Sequence, residues 1–163
     1  MPGKPYYGIV GNGETCALIS PKGSVEWLCL PRFDGKIVYS RALDPRRGEA
    51  ADLKILENGK EPILQGSSQR YVNRTAVLQT TLSFGSIVAE LTDFMPFNQE
   101  SLFRQQKVLF RIIKIRNEGQ NAADVEVKIY SGISTEKHRD VKEGVQFADD
   151  ISIGFVFYGQ PTM

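Results

Sequence analysis

"TAVLQTTLSFGSIVAELTDF", residues Thr75 to Phe94, decides the fold class. Apolar residues alternate with polar ones on both sides of Gly85-Ser86, which is the period of a half-buried strand. A two-residue connection with glycine first suits a type II′ turn, whose twist matches that of the strands it joins. That register sets Phe84 against Ile87, Leu82 against Ala89 and Thr80 against Leu91. One face is then apolar, while Ser83, Val88, Glu90 and Thr92 share the more polar one.

Outward from this hairpin the period stays at two. "DVEVKIY" alternates Val125, Val127 and Ile129 against charged neighbours, "SVEWLCL" and "VLFRIIKIRN" are strand-like, and "NEGQNAA" reads as a turn. "FADDISIGFVFYG" reads as a final hairpin or bulged pair. Two segments fit a helical phase instead: "KIVYSRALD", Lys36 to Asp44, over two turns, and the ambiguous "SLFRQQKVLF". Roughly ten short strands separated by turn signals predict an all-β chain. The expected architecture is an antiparallel β-sandwich, part or all of a supersandwich, with at most one or two short helices. No linker divides the chain, so residues 1–163 read as one domain. The terminal "YGQPTM" follows an apolar strand at once, and we expect the parent chain to continue beyond it.

The composition excludes several function classes. A formal net charge of +1 with scattered basic residues favours neither nucleic acid nor an acidic surface. No apolar run spans a bilayer and no N-terminal segment has the pattern of a signal peptide, so we expect a cytoplasmic protein and no membrane partner. The sequon "NRT" at Asn73 matters only in a secreted chain. No metal or cofactor is expected: His138 is the only histidine, and Cys16 and Cys29 have no ligand companions. The two cysteines flank a hairpin closed by "SPKGS". A three-residue loop pairs Cys16 with Leu28 and turns Cys29 to the other face, whereas a four-residue loop sets the cysteines opposite each other. Both thiols are expected free in a reducing compartment.

"GIVGNGETCALIS", Gly8 to Ser20, tests a nucleotide reading. Gly11 and Gly13 fit the first two positions of a dinucleotide loop, but Cys16 stands in place of the third glycine. No helix fits between Gly13 and Pro21 to supply the anion-binding N–H groups. These glycines therefore read as bends in a chain entering a sheet. Carboxylate pairs fare no better as catalysts. Asp149 and Asp150 are adjacent, so on a strand they would point to opposite faces, and Asp93 reads as tying down the "DFMP" bend. Trp27 lies on a strand and reads first as core, with a sugar platform as the alternative; Tyr6 and Tyr7 divide between core and surface. "LPRFD" differs from a simple turn. Pro31 ends a strand, and Arg32, Phe33 and Asp34 follow at once. They suit either a local Arg32–Asp34 pair within the sandwich or a contact with another domain.

"GIVGNGETCALISPKGSVEWLCLPRFD", Gly8 to Asp34, resembles the start of the trehalase-like N-terminal domain of glycoside hydrolase family 15, which includes prokaryotic glucoamylases, glucodextranases and trehalases. The matching residues are Gly11-Asn12-Gly13, Thr15, Ala17-Leu18, Gly23-Ser24, Trp27 and Leu28 to Asp34. "VYSRALD", "YVNRTAVLQTTLSF" and "ELTDFMP" match further family stretches, so the resemblance spans about residues 7 to 131. "DGKIV" departs from the usual "DSPSV". The resemblance implies a β-sandwich that precedes a helical (α/α)6 barrel. That barrel carries two catalytic glutamates for inverting hydrolysis of an α-glucosidic bond. Neither glutamate maps onto this chain, which is expected to be non-catalytic. The implied role is to support folding and docking of the barrel, with Trp27, Arg32, Phe33 and Asp34 as candidates for the interdomain or active-site rim. The alternative is a stand-alone carbohydrate-binding module that contacts glucoside or glucan through exposed aromatics.

Overall fold

A computed structural model describes residues 6–97, 107–131 and 152–159. Among these residues there are eleven strands and no helix. They are β1 (Gly8–Gly11), β2 (Cys16–Ile19), β3 (Val25–Leu30), β4 (Lys36–Tyr39), β5 (Ala51–Glu57), β6 (Gly66–Tyr71), β7 (Leu78–Phe84), β8 (Ile87–Phe94), β9 (Lys107–Asn117), β10 (Val125–Ser131) and β11 (Ser152–Gly159). Two antiparallel sheets result. The first runs β1-β2-β3-β5-β10, with β4 also on β3; the second runs β11-β9-β8-β7-β6.

The expected β7–β8 register is the observed one, with Phe84↔Ile87, Leu82↔Ala89 and Thr80↔Leu91 in place. Gly85 takes φ 79° at the turn. Alternation then sends Leu78, Leu82, Ala89, Leu91, Leu109 and Ile113 inward from the second sheet to meet Val10, Ala17, Ile19 and Leu28 from the first. The sheets also share polar ties at one edge. The Tyr71 hydroxyl accepts from the Ile9 N–H and donates to the Ile9 C=O, both at 2.9 Å. Those groups would otherwise be open on the edge strand β1. Gln69 donates to the carbonyls of Ile19 and Ser20.

Several expectations change. The segment 36–44 is not a two-turn helix: Lys36–Tyr39 pairs with β3 as β4, burying Val38 and Tyr39. Only single turns follow, such as Leu43 N–H to Ser40 C=O. Burial in a sheet overrode the helical spacing. The 152–159 stretch is one continuous strand paired with β9; residues 147–151, with Asp149 and Asp150, lie outside the described residues, as do residues 101–106 and His138. Asp93 does not simply tie down the following bend. It lies opposite Arg111 and accepts from Arg111 Nε at 2.7 Å and Nη2 at 3.0 Å, with both side chains buried.

Candidate functional site

The β1–β2 turn answers the question of the glycine cluster. Asn12 Oδ1 accepts from the N–H groups of Glu14 and Thr15, and the Asn12 N–H donates to the Thr15 carbonyl. Gly13 sits at φ 85° with nothing within 4 Å of a Cβ added there. "GNGET" is thus a tight reversal in which glycine supplies a positive φ, and it leads into a strand, so the nucleotide reading fails on structure as on sequence.

The next hairpin closes over Pro21–Gly23, with Ser20 N–H donating to Ser24 C=O and Gly23 N–H to Ser20 C=O. Ile19 faces Val25, but Leu18 faces Trp27 and Ala17 faces Leu28, because a bulge inserts Glu26. This extra residue corrects the expected register. The loop has three residues, yet Leu28 pairs with Ala17 and not with Cys16; continuing that register by one step sets Cys16 against Cys29. Both are free thiols. Burial raises both pKa values, and the Cys29 thiol raises that of Cys16 further.

The bulge also decides what faces outward. Ala17, Ile19 and Leu28 belong to the core. Their neighbours form two rows on the opposite face of the sheet. One row is Ile9–Leu18–Trp27; the other joins the pairs Gly11–Cys16 and Cys29–Ile37 through the continued β2–β3 register. Rows two residues apart lie about 7 Å from each other along the strands. Ile9 is 52% exposed and Ile37 50%. The result is an apolar face four strands wide with no charged side chain in either row. Trp27 is therefore not core, as its first reading had it, but a half-buried member of this outer face.

"LPRFD" stands at one end of the same face. The Leu30–Pro31 bond is cis, and β3 ends there. The Phe33 N–H donates to Glu14 C=O and the Gly35 N–H to Arg32 C=O, so the loop is pinned to the GNGET turn. Arg32 Nε meets Asp34 Oδ1 at 3.2 Å with both side chains more than 70% exposed. The local pair is present but open to water, and Phe33 is 53% exposed. Thr15 supports both loops from beneath, its hydroxyl donating to the Cys29 carbonyl.

A polar network that sequence reasoning missed flanks β3. Tyr7 donates to Glu26 Oε2 at 2.7 Å, while Arg41 pairs with Glu26 Oε1 at 3.3 Å and with both oxygens of Asp52. Ser24 donates to Asp52 Oδ1 at 2.7 Å. The hydrogen bond to Glu26, reinforced by burial, pushes the Tyr7 pKa up to about 12. The Arg41 guanidinium holds the Asp52 carboxyl below its ordinary range, against burial. The signal for this network was weak: Glu26 occupies the bulge, and no spacing rule links it to residues 41 and 52. Its groups satisfy one another, so it anchors the chain and leaves no free acid–base pair.

Among the described residues no group of three or more His, Cys, Asp or Glu side chains is arranged to hold a metal ion. What stands out is an apolar stretch of sheet face bordered by two interlocked loops on a β-sandwich module. The chain belongs to the trehalase-like N-terminal family, whose model matches residues 6–127. It is 31% identical over 156 residues to "Trehalase 1" of Sulfolobus acidocaldarius, covering 93% of this chain and 24% of that protein. It is 35% identical over 92 residues to "Trehalase" of Thermoplasma volcanium, covering 56% of this chain and 14% of that protein. With "Trehalase" of Mycobacterium tuberculosis the identity is 36% over 75 residues, 46% of this chain and 10% of that protein. The chain thus spans less than a quarter of the length of each of these curated relatives. No solved structure matches it significantly.

Proposed function

We propose that this chain is the non-catalytic N-terminal sandwich of an inverting α-glucosidic hydrolase, an α,α-trehalase in preference to a glucoamylase. Its task is to seat the catalytic barrel of the same protein. The observation that carries this reading is the uncharged face built from Ile9, Leu18, Trp27 and Ile37, with Phe33 at its end. Contiguous exposed apolar surface marks a protein contact, and the centre of such a contact is depleted in charge. The trehalase names of the relatives support the substrate choice.

A sugar-binding module is the competing reading, and the half-buried Trp27 is its one support. A sugar platform needs polar groups beside the ring to hold hydroxyls. In its own row Trp27 has Leu18 and Ile9 instead. Two measurements test the proposal. The purified chain should release no glucose from trehalose, maltose or soluble starch above a buffer blank. In a full-length trehalase carrying this domain, Ile9→Lys with Ile37→Lys should lower soluble yield and activity together. Glucose release by the chain alone, or retention on a glucan affinity gel with an unaffected full-length enzyme, would overturn it.

A further inference from the structure

We propose that Cys16 and Cys29 are a cross-strand dithiol that closes to an intramolecular disulfide when the protein meets a small oxidised thiol, so that the outer face of the first sheet carries a modification site. The pair owes its position to the bulge at Glu26. Ala17 lies opposite Leu28, and the next residue on each strand is a cysteine. Opposed residues of an antiparallel pair have Cα atoms about 4.5–5.5 Å apart and side chains on one face. A disulfide accepts Cα separations of about 4.4–6.8 Å. The Thr15 hydroxyl, adjacent to Cys16, holds the Cys29 carbonyl and fixes the two strands together at this row.

Unequal exposure sets the order of events. Cys16 is half-buried, whereas Cys29 is 2% exposed. A reagent therefore reaches Cys16 first. Its thiolate attacks one sulfur of the oxidised thiol, forming a mixed disulfide and expelling one thiolate. The Cys29 thiolate then attacks the Cys16 sulfur and expels the second. Two cysteine thiols are oxidised, one external disulfide is reduced to two thiols, and the two protons pass to the leaving thiolates. This site stands independently of any docking role.

The test uses oxidised glutathione on the native protein, followed by thiol blocking, trypsin and non-reducing mass spectrometry. Cleavage after Lys22 separates the two cysteines, so only a disulfide keeps their peptides together. The expected product is a monomer lighter by two hydrogens whose cysteine peptides stay linked. Cys29→Ser should stop at a glutathione adduct on Cys16, and Cys16→Ser should take up glutathione at least about tenfold more slowly, as a buried thiol does. In a glutathione redox buffer the folded chain should show a higher effective thiol concentration than the same chain in denaturant, by about tenfold or more. Stable glutathione adducts on both cysteines of the native protein, disulfide-linked dimers, or an effective concentration no higher than in denaturant would each overturn the proposal. Phenylarsine oxide, which bridges two close sulfurs, gives a reading without oxidation. Native protein should bind one equivalent, and either serine variant should lose it to a competing monothiol; no binding to the native protein counts against the pair.

Discussion

At the scale of single residues the most consequential pair is Asp93 with Arg111, both buried and joined by two hydrogen bonds. Removing one partner strands the other charge away from water, which costs about 3–5 kcal/mol. Asp93→Asn should therefore lower the denaturant midpoint severely, and Asp93→Leu with Arg111→Met should recover most of the loss. A double variant no better than the single one would show that the pair supplies more than mutual compensation. The Tyr7 network titrates at both ends of the scale. Tyr7 is raised from its ordinary 10.0 to about 12. The folded state holds this proton more tightly, so its contribution is full below pH 10 and is lost as pH rises through 12. Asp52 is lowered from 3.8, so its contribution is present above that value and fades as pH falls below it. The stability gap between the native chain and Tyr7→Phe should stay constant up to pH 10 and narrow beyond it. Chemical denaturation across that range measures the gap, and a constant gap up to pH 12 would refute the assignment.

Among the elements, the turn between β2 and β3 is the tightest fit. Gly23 has φ 81°, and a Cβ there would lie 2.4 Å from a Leu91 methyl. A side chain would meet both a left-handed backbone and the opposite sheet. Gly23→Ala should cost about 2–4 kcal/mol, whereas Gly13→Ala, with open space around it, should cost about 1 kcal/mol. A thermal melt of each decides whether packing at Gly23 adds to the backbone penalty. "LPRFD" behaves oppositely. Arg32 and Phe33 are exposed, so their replacement by alanine should shift the stability of this chain by less than about 0.5 kcal/mol. A large fall in melting temperature would show that they serve the sandwich itself. The hairpin at Gly85 was legible in sequence because alternation and turn chemistry agreed. The β2–β3 register was not, because nothing in "SVEWLCL" marks Glu26 as the inserted residue. Trp27 was read as core on its bulk, but the one-residue shift at Glu26 turns it to the outer face. The strand β4 was hidden because four residues show no period that separates strand from helix. Arg41, Glu26 and Asp52 carry no motif and meet only in three dimensions.

For the molecule as a whole, the two uncharged rows on the outer face of β1–β4 predict concentration-dependent self-association of the isolated chain. The double change Ile9→Lys with Ile37→Lys should abolish it without lowering the melting temperature, since both side chains are half exposed. Sedimentation velocity over a concentration series reads the first effect. A native chain that stays monomeric throughout would remove the physical basis for a docking surface there.

The pairing order has a consequence for the growing polypeptide. Over its whole length β5 is paired with β10, Ala51 with Ser131 through Glu57 with Val125, and it touches β3 only at Val25↔Ala51. During synthesis β5 therefore emerges long before its partner. At about 5–20 residues per second its open edge waits for several seconds, while the β6–β9 series is still being made. The sequence "ADLKILE" places Asp52, Lys54 and Glu57 among its apolar residues, and charges of this kind discourage pairing with a foreign strand. The side chains that discourage foreign pairing at this open edge are the same ones that later lie beside β10 in the finished sheet.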